Sequence, residues 1–149
     1  MSDPRRPYQL ESPVLRRHGL AVARYCFEKC YETWPELDRQ FGERGRHHTA
    51  EDNFWHLDYL DSAIAAGVPE TFVEYTDWLV GLLTARGLTR EQIAGAYEFL
   101  AEALERAGCP SSQHDHRRAL VDLLRRGRDR ARVPAPQAPG TSSDEGRSP

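Results

Sequence analysis

Apolar residues in this chain recur every three or four positions over six stretches, and residues that start or stop helices bracket each one. Ser12-Pro13 reads as an N-cap followed by proline at the first helical position, where a missing N–H costs nothing. An amphipathic helix through Leu15, Val22 and Cys26 is predicted to run from there to about residue 33. Pro35 opens a short helix with Leu37 and Phe41, and Gly42 closes it, leaving residues 42–47 as a loop. Thr49-Ala50-Glu51-Asp52 has the form of a capping box that starts a third helix, ending at Gly67. Pro69 begins a fourth, whose row Phe72, Tyr75, Leu79, Leu82 and Leu83 carries only Glu74 and Asp77 as charges. That helix is expected to be the central buried one, with Leu79 inside.

Thr89 and Gln92 form another capping box, and Ile93, Tyr97, Leu100 and Leu104 make the stripe of a fifth helix ending at Gly108. Pro110-Ser111-Ser112 precedes a sixth helix through Leu120, Leu123 and Leu124, fading among arginines near 131. No segment alternates with the two-residue period of a strand. The expected fold is therefore all-α, a single bundle of about six helices over residues 13–131. Residues 1–12 are read as an N-terminal extension. Residues 132–149, rich in Pro, Ser and Gly, bury too little apolar surface to offset ordering and are expected to be disordered.

Composition narrows the function classes. No apolar run nears the roughly 20 residues that span a bilayer, and the first residues lack the apolar core of a secretion signal. A soluble, cytoplasmic protein without membrane contact is expected. Three cysteines, at 26, 30 and 109, are too few and too irregular for a disulfide framework, and packing is their simplest use. Residues 50–109 hold three arginines against eleven acids, and residues 110–132 seven arginines against three. An acidic body beside a basic last helix argues against nucleic-acid binding, which needs a net basic face. It leaves room for self-association, such as a homodimer, or for a charged partner.

Chemistry concentrates between His47 and Tyr59. On a helix His48, Asp52, His56 and Tyr59 lie along one stripe, beside the core stripe of Leu57 and Leu60. Three readings fit. In the plainest, His56 bonds a neighbouring helix, Asp52 caps, and His47 and His48 face water. In the second, His56 anchors a ligand in an apolar pocket completed by Trp55, Tyr59, Tyr75 and Trp78. In the third, His48, Asp52 and His56 bind a metal. The paired Glu-x-x-His pattern of carboxylate di-iron bundles is missing. His114 and His116 are read as exposed. Neither a nucleophile elbow, a phosphate loop nor a zinc-protease helix is present, so catalysis has no visible carrier.

The segment Trp34-Pro35-Glu36-Leu37, Gly42, Gly45-Arg46, Thr49, Glu51-Asp52, His56-Leu57 and Tyr59-Leu60 gives the chain a family likeness. It resembles small bacterial globin-like domains that have lost ordinary haem ligation, over residues 13–131. Such domains include proteins associated with bilin biosynthesis, and phycobiliprotein subunits share the general architecture. One departure stands out: residues 57–113 contain no histidine for the proximal position of a haem globin. The resemblance implies a non-catalytic accessory or sensor protein that binds haem or a bilin, or no cofactor, beside a haem-cleaving or bilin-reducing enzyme. The alternatives are a ligand-free helical signalling adaptor and a metal-dependent helical-bundle oxidoreductase.

Overall fold

A computed structural model describes residues 10–134, and the described residues are helical with short connections. The order is α1 (Pro13–Thr33), α2 (Glu36–Ala66), α3 (Glu70–Ala85), α4 (Arg90–Arg106), a 3₁₀ turn (Ser111–Gln113) and α5 (His114–Arg132). The all-α expectation holds, with five α-helices rather than about six. The predicted second and third helices run on as one, interrupted only at Gly42 (φ 65°, ψ −156°), a backbone geometry that suits glycine. Residues 43–47 are helical, not a loop. Thr49 is consequently no N-cap: it sits inside the helix, and its hydroxyl donates back to the Gly45 carbonyl at 2.9 Å. Two tertiary contacts fasten this polar stretch. Arg46 makes a two-pronged bond to Asp38 at 2.7 and 2.8 Å, and its guanidinium lies 4.5 Å from the Tyr31 ring centre.

Elsewhere the helix signals act as their chemistry requires. The Ser12 hydroxyl accepts from the Leu15 amide, and Thr89 and Gln92 close both halves of their capping box. Residues 10–12, read as part of an extension, belong to the packed domain. Leu10 is in the core, and the buried Asp61 carboxylate accepts the Glu11 and Ser12 amides at 2.8 Å each. The Ser12 hydroxyl lies 2.6 Å from His116 Nε2, so His116 is half-buried where exposure was expected. The starts of α1 and α5 are thereby tied to the last turns of α2. Residues 1–9, and residues 135–149 of the expected tail, lie outside the described residues.

The central helix is α4, not α3. It packs on both α1 and α5, and Ala94, Tyr97, Leu100, Ala101 and Leu104 have no exposed surface. Low charge had marked α3 as central, yet one of its sides faces water, with Trp78 60% exposed. Burial depends on which stripe meets a neighbour, and the charges of α4 stand on its flank where α5 answers them. Arg125 pairs with Glu98 and Glu105, Arg128 with Glu98, Arg132 with Glu91, Arg126 with Glu70 and Arg130 with Asp77. The basic last helix thus neutralises the chain's own acidic body. Desolvation raises the Glu98 pKa, but the bonds from Arg125 and Arg128 outweigh it and hold the carboxyl below its ordinary range.

Leu79 is buried as expected, at 3% exposure, within the hydrophobic core. Leu79→Ala is expected to cost about 2–5 kcal/mol through lost transfer energy and a residual cavity. Urea denaturation of the purified variant measures it, and a cost below ~0.5 kcal/mol would show that this part of α3 does not pack as described.

Candidate functional site

The i, i+4 stripe of α2 and the facing row of α3 form the two walls of one cleft. His48, Asp52, Trp55 and Tyr59 come from α2, and Tyr75, Trp78, Leu79, Leu82 and Arg86 from α3, around a volume of about 330 Å³. Six of the seven side chains singled out in the sequence meet here. The seventh, His56, does not line the cleft. It lies behind it, 3% exposed, with Nδ1 2.8 Å from the Tyr75 hydroxyl.

The aromatic groups make a connected set. Tyr59 stacks on Tyr75 with ring centres 4.0 Å apart and an angle of 13°. Trp55 flanks Tyr59 at 6.4 Å, and Trp78 flanks Tyr75 at 6.0 Å. Trp78 and Tyr59 present their faces to solvent, being 60% and 42% exposed, whereas Tyr75 is buried to its hydroxyl.

Charge is placed at one end. Asp52 is half-buried, and burial raises its pKa to about 6 even though Arg86 and His48 pull it down. Glu51 sits beside it, 3.5 Å from His47 and 3.7 Å from His48. The cleft therefore offers apolar ring faces, one carboxyl group that titrates near neutrality, and a guanidinium. His56, in contrast, is kept neutral: burial lowers its pKa to about 3. Its ring meets Tyr97 edge-on at 5.2 Å, and Tyr97 in turn bonds Thr76 at 3.0 Å. Burial drives the hydroxyls of Tyr75 and Tyr97 well above the ordinary tyrosine range, so both stay protonated.

Sequence reasoning missed Leu79, Leu82 and Arg86 as cleft residues. Their i, i+3 and i+7 spacing was visible, but which α3 stripe faces α2 was not. It also missed Asn53, which is 2% exposed, donates to the Ala23 carbonyl at 3.3 Å and takes the Cys26 thiol at 3.4 Å. The cysteines are free and pack as small apolar groups, with burial pushing the Cys26 thiol up. The metal arrangement does not form: among the described residues no three His, Cys, Asp or Glu side chains converge enough to hold an ion. A second groove, of about 470 Å³, lies between α1 and α2 by Leu20, Phe27 and Phe54. Its charged side chains are Arg24, Glu28 and Arg46, the last engaged by Asp38. Among the described residues no helix is long and apolar enough to cross a membrane.

No protein-family model matches this chain, and neither any curated protein nor any solved structure does so. The functional reading therefore rests on the cleft.

Proposed function

We propose that this chain is a non-catalytic accessory or sensor protein of globin-like type, holding a flat conjugated ligand of the tetrapyrrole class between α2 and α3. The observation that carries the reading is the convergence of Trp55, Tyr59, Tyr75 and Trp78 on one half-open cleft. Ring faces suit a flat π-system, and a volume of about 330 Å³ falls at the small end of ligand sites, roughly 300–1,000 Å³. A tetrapyrrole would accordingly be gripped along part of its length, with the remainder open to a pigment-making enzyme. Arg86 and His48 suit its carboxylates, and Asp52 suits its pyrrole N–H groups.

An open-chain bilin fits these residues better than haem. Haem supplies an iron that seeks an imidazole, and of the two imidazoles here His56 bonds Tyr75 behind the cleft wall while His48, in the cleft, lies 3.7 Å from the Glu51 carboxylate. Titration with biliverdin and with haem, followed by absorbance and tryptophan fluorescence, tests the reading. One saturable site of micromolar affinity is expected, preferring biliverdin. Trp78→Ala should weaken it about tenfold or more, about 1.4 kcal/mol, while Leu20→Ala in the other groove should not. Binding without saturation, or equal behaviour of the two variants, removes the ligand reading.

The adaptor reading would then lead. What favours it is the exposure of Trp78 together with Val68, 45% exposed, on and just before α3. A second copy of the chain is the simplest such partner, and analytical sedimentation of wild type against Trp78→Ala would reveal it as a loss of dimer.

A further inference from the structure

Next to the aromatic cleft lies a pocket of about 50 Å³ among α1, α2, α3 and α4, and it opens to solvent about as freely as the cleft does. Asp52 is the one residue that lines both spaces. The floor of the pocket is buried and largely apolar, with Leu37, Leu83 and Ile93 beside His56. Its half-buried rim carries Trp34, Leu88, Gln92 and Asp52.

Three polar groups here keep bonding capacity that the fold does not use. The Tyr75 hydroxyl has His56 Nδ1, at 2.8 Å, as its one hydrogen-bond partner among the described residues. A phenol this deeply buried keeps its proton bonded, so the O–H donates to Nδ1 and the ring's own proton sits on Nε2. That N–H stands on the floor of the pocket and has no acceptor among the described residues. The Gln92 side-chain oxygen accepts the Thr89 amide at 2.9 Å, which leaves its NH₂ group unbonded among them. Asp52 likewise makes no hydrogen bond there. The neighbouring polar groups are engaged: Asn53 bonds the Ala23 carbonyl and the Cys26 thiol, and the Thr49 hydroxyl donates to Gly45. A buried donor without an acceptor bears its full desolvation cost, which a ligand oxygen would remove.

The charges narrow the choice of ligand. At pH 7 His56 is neutral, and Asp52, with its pKa near 6, is mostly ionised. Asp52 is then the only charged group lining the pocket, and it repels a carboxylate. Two N–H donors on the floor and the facing wall oppose a cationic head. A neutral group with an acceptor and a donor side by side meets both conditions. His56 and Asp52 stand one turn apart on the same face of α2, and Gln92 faces them from α4. We propose that the pocket binds a small neutral amide, a lactam or primary carboxamide, whose carbonyl oxygen accepts from His56 Nε2 and Gln92 and whose N–H donates to Asp52. At about 10–15 Å³ per water-sized position the space holds a few bonded atoms. The amide head therefore enters, and the apolar remainder of the ligand rests on Trp34 and Leu88.

The test uses the pigment-free full chain, so its outcome is separate from that of the tetrapyrrole reading. The probe is valerolactam, followed by nitrogen–proton correlation NMR of backbone, side-chain and ring signals. Saturable binding with a millimolar Kd is expected, shifting His56 Nε2 and the Gln92 side-chain amide while the indole signals of Trp55 and Trp78 stay in place. N-methylvalerolactam, which has no N–H for Asp52, should bind at least about tenfold more weakly, as should valerolactam to the pocket-filling Ala96→Leu. The ring signals of the free protein should place the proton on Nε2. A ring protonated on Nδ1, or shifts that grow without saturation, overturns the proposal and leaves the pocket to water. N-methylvalerolactam binding, or valerolactam binding to a folded Ala96→Leu, within about twofold of the wild-type lactam value overturns it as well. Circular dichroism reports whether Ala96→Leu folds, and if it does not, the two lactams on wild type decide.

Discussion

Replacing Tyr97 by alanine is expected to remove about 3–5 kcal/mol of stability, as for other fully buried aromatic residues. No part of Tyr97 is exposed, and its ring meets His56 at 5.2 Å and Phe72 at 5.3 Å. On α5 the glycine at 127 leaves the space this contact needs. A methyl group there would lie 2.7 Å from Tyr97 Cε2 and 2.9 Å from Phe72 Cε2, closer than carbon atoms pack. One ring thus joins α2, α3, α4 and α5, and its removal leaves a void that several rigid helices cannot jointly close. Tyr97→Phe keeps the ring and removes only the bond to Thr76, whose hydroxyl also donates to the Phe72 carbonyl. Its expected cost is about 1 kcal/mol. Urea midpoints measure both variants. Equal costs would mean that the hydroxyl, not the packing, holds this junction.

Acid is the second sensitive direction, through His56. An ordinary imidazole takes up a proton near pH 6.5, whereas burial in the fold delays this to about 3. Between those values the unfolded chain binds the extra proton, so stability falls as pH drops. The full span is worth about 4–5 kcal/mol, at about 1.36 kcal/mol per pH unit. Asp52 works in the opposite sense. Its pKa is raised from 3.8 to about 6, so the folded chain holds the proton that the unfolded chain has lost. Its contribution is fully present below about pH 3.8 and disappears as pH rises through about 6, a change of at most about 3 kcal/mol. At pH 7 the ionised Asp52 is therefore a burden on the fold. Asp52→Asn is expected to raise the urea midpoint at pH 7 and to steepen its decline towards pH 4. His56→Gln should lower the midpoint at pH 7 and flatten that decline. A wild-type to His56→Gln difference that stays constant from pH 7 to pH 4 would show that the imidazole is not buried neutral.

Much of the candidate site was legible before any tertiary contact was known. The spacing 48, 52, 55, 59 on α2 can only be one stripe, and Tyr75 and Trp78 fall on the next helix a short turn away. What the spacing lacks is rotation about the helix axis. The stripe's edge was visible at His56, but its inward turn comes from the Tyr75 hydroxyl and the Tyr97 ring, donated by two other helices. For the same reason Arg86 escaped notice, since its place at the cleft depends on how α3 lies against α2.

By itself the sequence determined the helical class, the caps at Ser12 and Thr89, the stop at Gly67, and the buried stripes of α3 and α4. Each follows from interactions within about four residues: a side-chain oxygen meeting a first-turn amide, a left-handed glycine, or an apolar period of 3.6. Tertiary structure decided the rest. It continued α2 past Gly42 by binding Arg46 to Asp38, and it drew Leu10 and Ser12 into the domain through the Asp61 carboxylate. It made α4 the centre by matching its acidic flank to the arginines of α5, and it put His56 behind the aromatic cleft rather than in it. These outcomes rest on partners 8 to 49 residues away, beyond the reach of a single helical turn, whose directions no local pattern carries.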